Sequence, residues 1–166
     1  MSTTIDIDTL RSRLPDPSAF FPDLGAVTGG MAKAVGSGPI PRTTVHLVQL
    51  RAAQLVTSTY HTVRQTDLLR KAGETEERIA ALPSWRDAPY FTGAERAALA
   101  LVEAVLTPNP AGERVPDELY AEAAAYYDEE AMWSLILVIA QIFFFIPVAA
   151  IAKPIPGKPL GQNYRT

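Results

Sequence analysis

Residues 47–106, LVQLRAAQLVTSTYHTVRQTDLLRKAGETEERIAALPSWRDAPYFTGAERAALALVEAVL, carry the pattern that decides the fold. Val48, Ala52 and Leu55, with Val45 just upstream, recur at three- and four-residue steps, the stripe of an amphipathic helix. Helical character continues from Tyr60 to Lys71, and Gly73 suits the left-handed residue that closes a helix. A short helix is predicted over Thr75–Leu82, with Glu76 and Glu77 where the positive end of the helix dipole favours acids. Pro83 and Pro89 bracket a connector. Thr92-Gly93-Ala94-Glu95 then spells a capping box, and the helix after it, Ala94–Leu106, is expected to bury Ala98, Leu101, Val102 and Val105.

Upstream, residues 1–17 read as a polar arm lying on the body and ending in Leu14-Pro15-Asp16-Pro17. A helical block follows from about Phe20 to Val35, weakened by Gly25, Gly29 and Gly30 and stopped by Gly36-Ser37-Gly38-Pro39-Ile40-Pro41. Downstream, Pro108, Pro110 and Gly112 mark a loop, and Pro116-Asp117-Glu118 opens another helix. Asp128-Glu129-Glu130 begins the last and most apolar block. No run alternates with period two for long enough to demand a strand, so the expected fold is all-α, one domain over 1–166.

The composition narrows the chemistry. The chain has 166 residues, 48% of them hydrophobic and 20% charged, a globular balance. Fifteen Lys and Arg stand against 18 Asp and Glu, so no cationic surface for nucleic acid is expected. There is no cysteine, which excludes disulfides, thiolate nucleophiles and thiolate metal sites. The two histidines, His46 and His61, are too few for a three-histidine metal site, and no metal or cofactor is expected. The polar, acid-bearing start lacks the features of a signal peptide, which points to the cytoplasm.

The stretch Trp133–Ala152 raises a membrane question, since it runs 20 residues without a formal charge. That is about the length needed to cross a bilayer. Acids precede it, and Lys153, Lys158 and Arg165 follow it. Gln141 in mid-run and Pro147, expected to break or kink the helix near its end, argue against a span. A helix buried on all sides in a soluble oligomer gives the same signal.

Four segments carry a family resemblance: Leu50-Arg51-Ala52-Ala53-Gln54, Arg70-Lys71-Ala72-Gly73-Glu74-Thr75, Trp85-Arg86-Asp87-Ala88-Pro89 and Phe91-Thr92-Gly93-Ala94-Glu95-Arg96-Ala97-Ala98-Leu99. Their order and spacing resemble the carboxymuconolactone decarboxylase superfamily, in its alkylhydroperoxidase D-like branch. The resemblance implies an all-α homo-oligomer with apolar helices packed at subunit contacts. Burial in the oligomer then accounts for 133–152 without a membrane.

Enzymes of that branch carry a glutamate, a Cys-x-x-Cys pair and a histidine four residues beyond. By resemblance, His46 takes the glutamate position, Ser58 and His61 the two cysteine positions, and Gln65 the histidine position. The peroxidase mechanism needs a reactive thiolate and a second thiol. Serine and histidine supply neither, so thiol-dependent peroxidase activity is not expected.

Ser58, His61 and Gln65 share one face of a continuous helix. His46 lies 12 residues before Ser58, about a third of a turn away at roughly 100° per residue, so convergence requires a bend or a second subunit. The resemblance implies convergence in a pocket. His46, His61 and Ser58 are therefore candidate catalytic residues for non-thiol acid–base chemistry on a small molecule, with Gln65 and Tyr60 as candidate binding residues. The superfamily also includes decarboxylases of lactone acids, a precedent for chemistry without thiols. The alternatives are a catalytically silent binding or scaffold protein, a two-histidine metal site with Gln65 or an acid, and an enzyme fixed to a membrane.

Other residues have structural readings. Trp85-Arg86 packs the connector and leaves the arginine for an ion pair; Glu95 is a cap and Glu103 a solvated helix residue. Tyr126 and Tyr127 mark a helix boundary, and Phe143, Phe144 and Phe145 are oligomer or core contacts.

Overall fold

Seven α-helices and three short 3-10 segments make up the computed structural model, which describes residues 5–165. The helices are α1 (Leu24–Ser37), α2 (Arg42–Leu55), α3 (Thr59–Lys71), α4 (Glu76–Ala81), α5 (Gly93–Leu106), α6 (Asp117–Ala124) and α7 (Glu129–Ala152). Among the described residues there is no strand, only one isolated bridge between Pro15 and Arg165.

α2 is the hub, packing against α3, α5 and α7. One side places Val45, Val48 and Ala52 in a core with Val102 of α5 and Leu135 and Val138 of α7. The other places Leu47 and Leu50 in a second core with Leu69, Ile79, Leu82, Trp85 and Phe91. Fully burying one such aliphatic side chain contributes about 1.5–3 kcal/mol. Interruption of α2 therefore undoes both cores at once.

The capping box of α5 is complete: Thr92 Oγ1 accepts from Glu95 N–H, and Glu95 Oε2 accepts from Thr92 N–H. Ala98, Leu101 and Val102 are buried as expected, Leu99 joins them, and Val105 is only partly buried. α1 begins later than its composition suggests, because Pro17–Ala19 forms a separate 3-10 turn and the chain re-enters a helix only at Leu24. Val35 is the one buried residue of α1, which leans on α7 and leaves its glycines facing open space.

α7 runs unbroken through Pro147 to Ala152. A proline inside a helix removes one backbone donor and crowds the carbonyl four residues earlier. Pro147 sits on the exposed side of the helix, which continues until Lys153, left-handed at φ 52°, ends it. The helix is long and apolar enough to cross a membrane, with a third of its most apolar window buried inside the protein. Its inner face is pinned to α2 by a partly buried amide pair, Gln49 Nε2 donating to Gln141 Oε1 at 2.8 Å. Trp133, Ile136, Leu137, Phe143, Phe144 and Ile151 stay exposed on its outer side.

The segments around residues 12–13 and 165 lie together against the end of α7. Arg13 N–H donates to Ala152 O at 2.8 Å, and Arg165 N–H donates to Ser12 Oγ at 2.8 Å. Residues 5–17 of the expected arm thus rest on the C-terminal tail, and residues 1–4 lie outside the described part.

Candidate functional site

A turn between α2 and α3 separates His46 from Ser58. Thr57 N–H donates to Gln54 O and Ser58 N–H to Ala53 O, the paired bonds of a Schellman ending. The residue between them takes a left-handed conformation, and here it is Thr57, at φ 54°. Glycine normally fills that place, because a β-branched residue meets its own backbone there. α3 ends in the same way, but with Gly73 at φ 84°.

The turn folds α3 back along α2 and lines up two hydrogen-bonded pairs on their seam. Ser58 Oγ and His61 Nδ1 bond at 2.9 Å. Ser58 occupies the N-cap of α3, yet its hydroxyl is spent on the imidazole and not on the helix backbone. One helical turn further on, His46 Nδ1 lies 3.0 Å from Gln65 Oε1. The amide oxygen only accepts, so Nδ1–H of His46 donates and Nε2 is left as its basic nitrogen.

Both imidazoles are held neutral. Burial lowers the pKa of His61 to about 4, and the Arg64 guanidinium pushes the same way. Burial likewise lowers that of His46, against the pull of its Gln65 bond and with help from Arg42 and Arg64. His61 and Gln65 are 4% and 5% exposed, so the seam is an interior feature that reaches the surface only locally.

Two cavities meet at this seam. A cleft of about 920 Å³ is walled by Phe20, Phe21, Phe144, Phe145, Pro147 and Val148, with His61, Tyr60 and Tyr164 as polar groups on its lining. A smaller cavity of about 360 Å³ is lined by Thr57, Ser58, Thr59, Ala150, Arg11 and Lys153. Tyr60, Ala149 and Pro154 line both. The hydrogen-bonded Ser58 and His61 therefore face opposite sides of one partition, and His46 and Gln65 line neither cavity.

Sequence reasoning missed several contributors. Asn163, from the C-terminal tail, is buried and donates from Nδ2 to Tyr60 OH at 2.9 Å, tying the tail to the helix that carries His61. Arg11 and Lys153 come from chain ends that no local pattern connects to α3. Phe144 and Phe145 line the cleft beyond the packing role read from the sequence.

Glu103 is a correction: it is not solvated. Its carboxylate accepts from Arg51 Nε at 2.6 Å and Trp85 Nε1 at 2.9 Å and also from Arg86, with its side chain 12% exposed. Burial pushes its pKa up, but the bonds from Trp85, Arg86 and Arg51 outweigh this and hold it below the usual carboxylate range. The connector of Trp85 and Arg86 packs as read, with Arg86 stacked over the Trp85 ring. Tyr127 sits at the α6–α7 boundary and donates to Ala94 O at 2.6 Å.

Comparison with known proteins places this geometry. The model of the carboxymuconolactone decarboxylase family matches residues 22–104. The uncharacterized protein YdfG of Bacillus subtilis (strain 168) is 39% identical over 113 residues, covering 68% of this chain and 75% of that protein. A crystal structure from Agrobacterium tumefaciens, of a protein of unknown function suggested to be the antioxidant defence protein AhpD, superposes with a TM-score of 0.79 at 21% identity, over 90% of this chain and 100% of the other. The debrominase Bmp8, solved as a cysteine-to-alanine variant with 2,3,4-tribromopyrrole, gives a TM-score of 0.75 at 24% identity, over 90% of this chain and 81% of the other. At these identities the two crystal structures share the fold.

Proposed function

Because the chain belongs to the carboxymuconolactone decarboxylase family, we propose that it is a thiol-free small-molecule pocket protein whose reactive pair is Ser58 and His61. The observation that carries this reading is the 2.9 Å bond between them at the wall where the two cavities meet. The neutral imidazole accepts a hydrogen bond from the Ser58 hydroxyl at Nδ1, carries its own proton on Nε2, and lies on the lining of the cleft. It serves near neutral pH as an acceptor and a hydrogen-bonding group, whereas a general acid would need a pKa nearer the working pH. His46, oriented by Gln65, supplies a second neutral imidazole one turn along the seam and acts by positioning α3. That a neighbour of the same fold is a debrominase supports small-molecule chemistry on this scaffold.

A catalytically silent binding protein is the second reading. It is favoured by the weak basicity of His61 and by the lack, among the described residues, of a carboxylate bonded to that ring. Assays of carbon dioxide release from a panel of lactone acids separate the two. Catalysis predicts turnover that rises as pH climbs through about 4 and is abolished in His61→Ala with the fold intact. Ligand binding without turnover supports the silent reading, and turnover unchanged in His61→Ala overturns the role of the pair.

The exposed side of α7 is proposed to bury against a second copy of the chain in the cytoplasm. Its apolar row continues into the cleft through Phe144 and Ile151, so a neighbouring copy would also help close the pocket. Light scattering on the detergent-free soluble fraction tests this: a monomer, or a protein that needs detergent, would refute it.

A further inference from the structure

The two cavities differ in charge, and the difference defines the ligand. The large cleft is walled mostly by apolar and aromatic side chains, and its charged lining, Asp16 and Arg165, is one of each sign. The small cavity has Arg11 and Lys153 as its charged lining residues and no carboxylate, together with the hydroxyl-bearing Thr57, Ser58 and Thr59. The two share Tyr60, Ala149 and Pro154 and so adjoin across one wall.

We propose that the ligand is an aryl carboxylate, its flat apolar body in the large cleft and its carboxylate in the small cavity between Arg11 and Lys153. This rests on the pocket reading given above and names the ligand class of that pocket. The aromatic walls match a planar body, since rings stack and meet edge-on with an attraction beyond that of equal aliphatic area. The volume of the cleft falls within the range of about 300–1,000 Å³ usual for small-molecule sites. At the carboxylate end, Arg11 and Lys153 favour a charged head over its neutral amide; Asp8, which also feels the Arg11 charge, lies outside the cavity lining. His61, neutral at physiological pH, lines the large cleft and adds no charge of its own.

The proposal predicts a specific preference. In calorimetric titrations, 2-naphthylacetate should bind at least 10-fold more tightly than 2-naphthylacetamide, which has the same body without the charge. Lys153→Gln and Arg11→Gln should each weaken the acid about 5- to 10-fold and leave the amide within 2-fold, with the advantage of the acid shrinking as salt rises. Lys153→Glu should remove the preference altogether; as a surface change at the end of α7 it also serves if Arg11→Gln perturbs the terminal arm. Val148→Trp, which fills the cleft, should weaken both ligands. Equal binding of acid and amide, both lost in Val148→Trp, overturns the carboxylate assignment and leaves the pocket reading standing. Failure of both ligands to bind, or binding indifferent to Val148→Trp, overturns both.

Discussion

α2 supplies one side chain to each of two polar clusters, and the clusters are built on opposite principles. Arg51 joins Glu103, Trp85 and Arg86 in an ionic knot with the charge on Glu103 met by three donors. His46 joins Gln65, His61 and Ser58 in a seam whose titratable members are both held neutral. The ionic knot ties α2, α5 and the connector together, and its central carboxylate is fully paired. The neutral seam borders two cavities through Ser58 and His61, while His46 and Gln65 stay behind them. Full pairing serves structure, and incomplete pairing beside a cavity serves recognition.

Deleting one partner from each cluster gives the sharpest contrast. Glu103→Ala leaves the half-committed Arg51 guanidinium in a largely buried place and should cost about 3 kcal/mol in chemical denaturation, the usual loss when one member of a buried pair is removed. A loss below about 1 kcal/mol would erase the distinction between the two clusters.

Acid titration should separate them next. The folded His61 stays neutral down to about pH 4, whereas an unfolded imidazole titrates near 6.5, so the unfolded state holds more protons in between. Its contribution is complete above about pH 6.5, falls as pH drops toward about 4, and is on the order of 2 kcal/mol. His61→Leu should flatten that limb. The lowered pKa of Glu103 works at lower pH: its contribution is present above the ordinary carboxylate range and fades as pH falls through the depressed value, and Glu103→Gln should remove it. A single limb that neither substitution alters would merge the clusters.

The turn that brings α3 beside α2 offers a smaller effect. Thr57→Gly should stabilise the protein by about 1 kcal/mol, because glycine accepts the left-handed conformation that threonine resists. Gly73→Ala, at the matching end of α3, should destabilise it by a similar amount. Smallest is the double change His46→Leu with Gln65→Leu. Replacing both partners of a neutral hydrogen bond should shift stability by less than about 1 kcal/mol, and Gln65→Leu alone should cost more than the pair.

Much of the architecture was legible in local pattern. The stripe Val45-Val48-Ala52 faces a core, and Thr92 and Glu95 form the capping box they spell. Features that depended on distant partners were not legible. Glu103 has the sequence surroundings of any solvated helical acid, and only the approach of Arg51 and Trp85 across the fold makes it a buried anchor. Pro147 reads as a helix breaker, yet α7 passes through it. For the candidate site, the sequence isolated the four seam residues, while Asn163, Arg11 and Lys153 come from chain ends with no motif to flag them.

By itself, the sequence determined the helical class, the family and the loss of sulfur chemistry. These follow from periodicity, from spacing within about 60 residues and from an amino-acid count, all local or global properties of a string. The tertiary structure alone decided which polar groups are paired and which border a cavity, and that both histidines are neutral. Desolvation and partner geometry arise only when segments far apart in the chain are packed against one another.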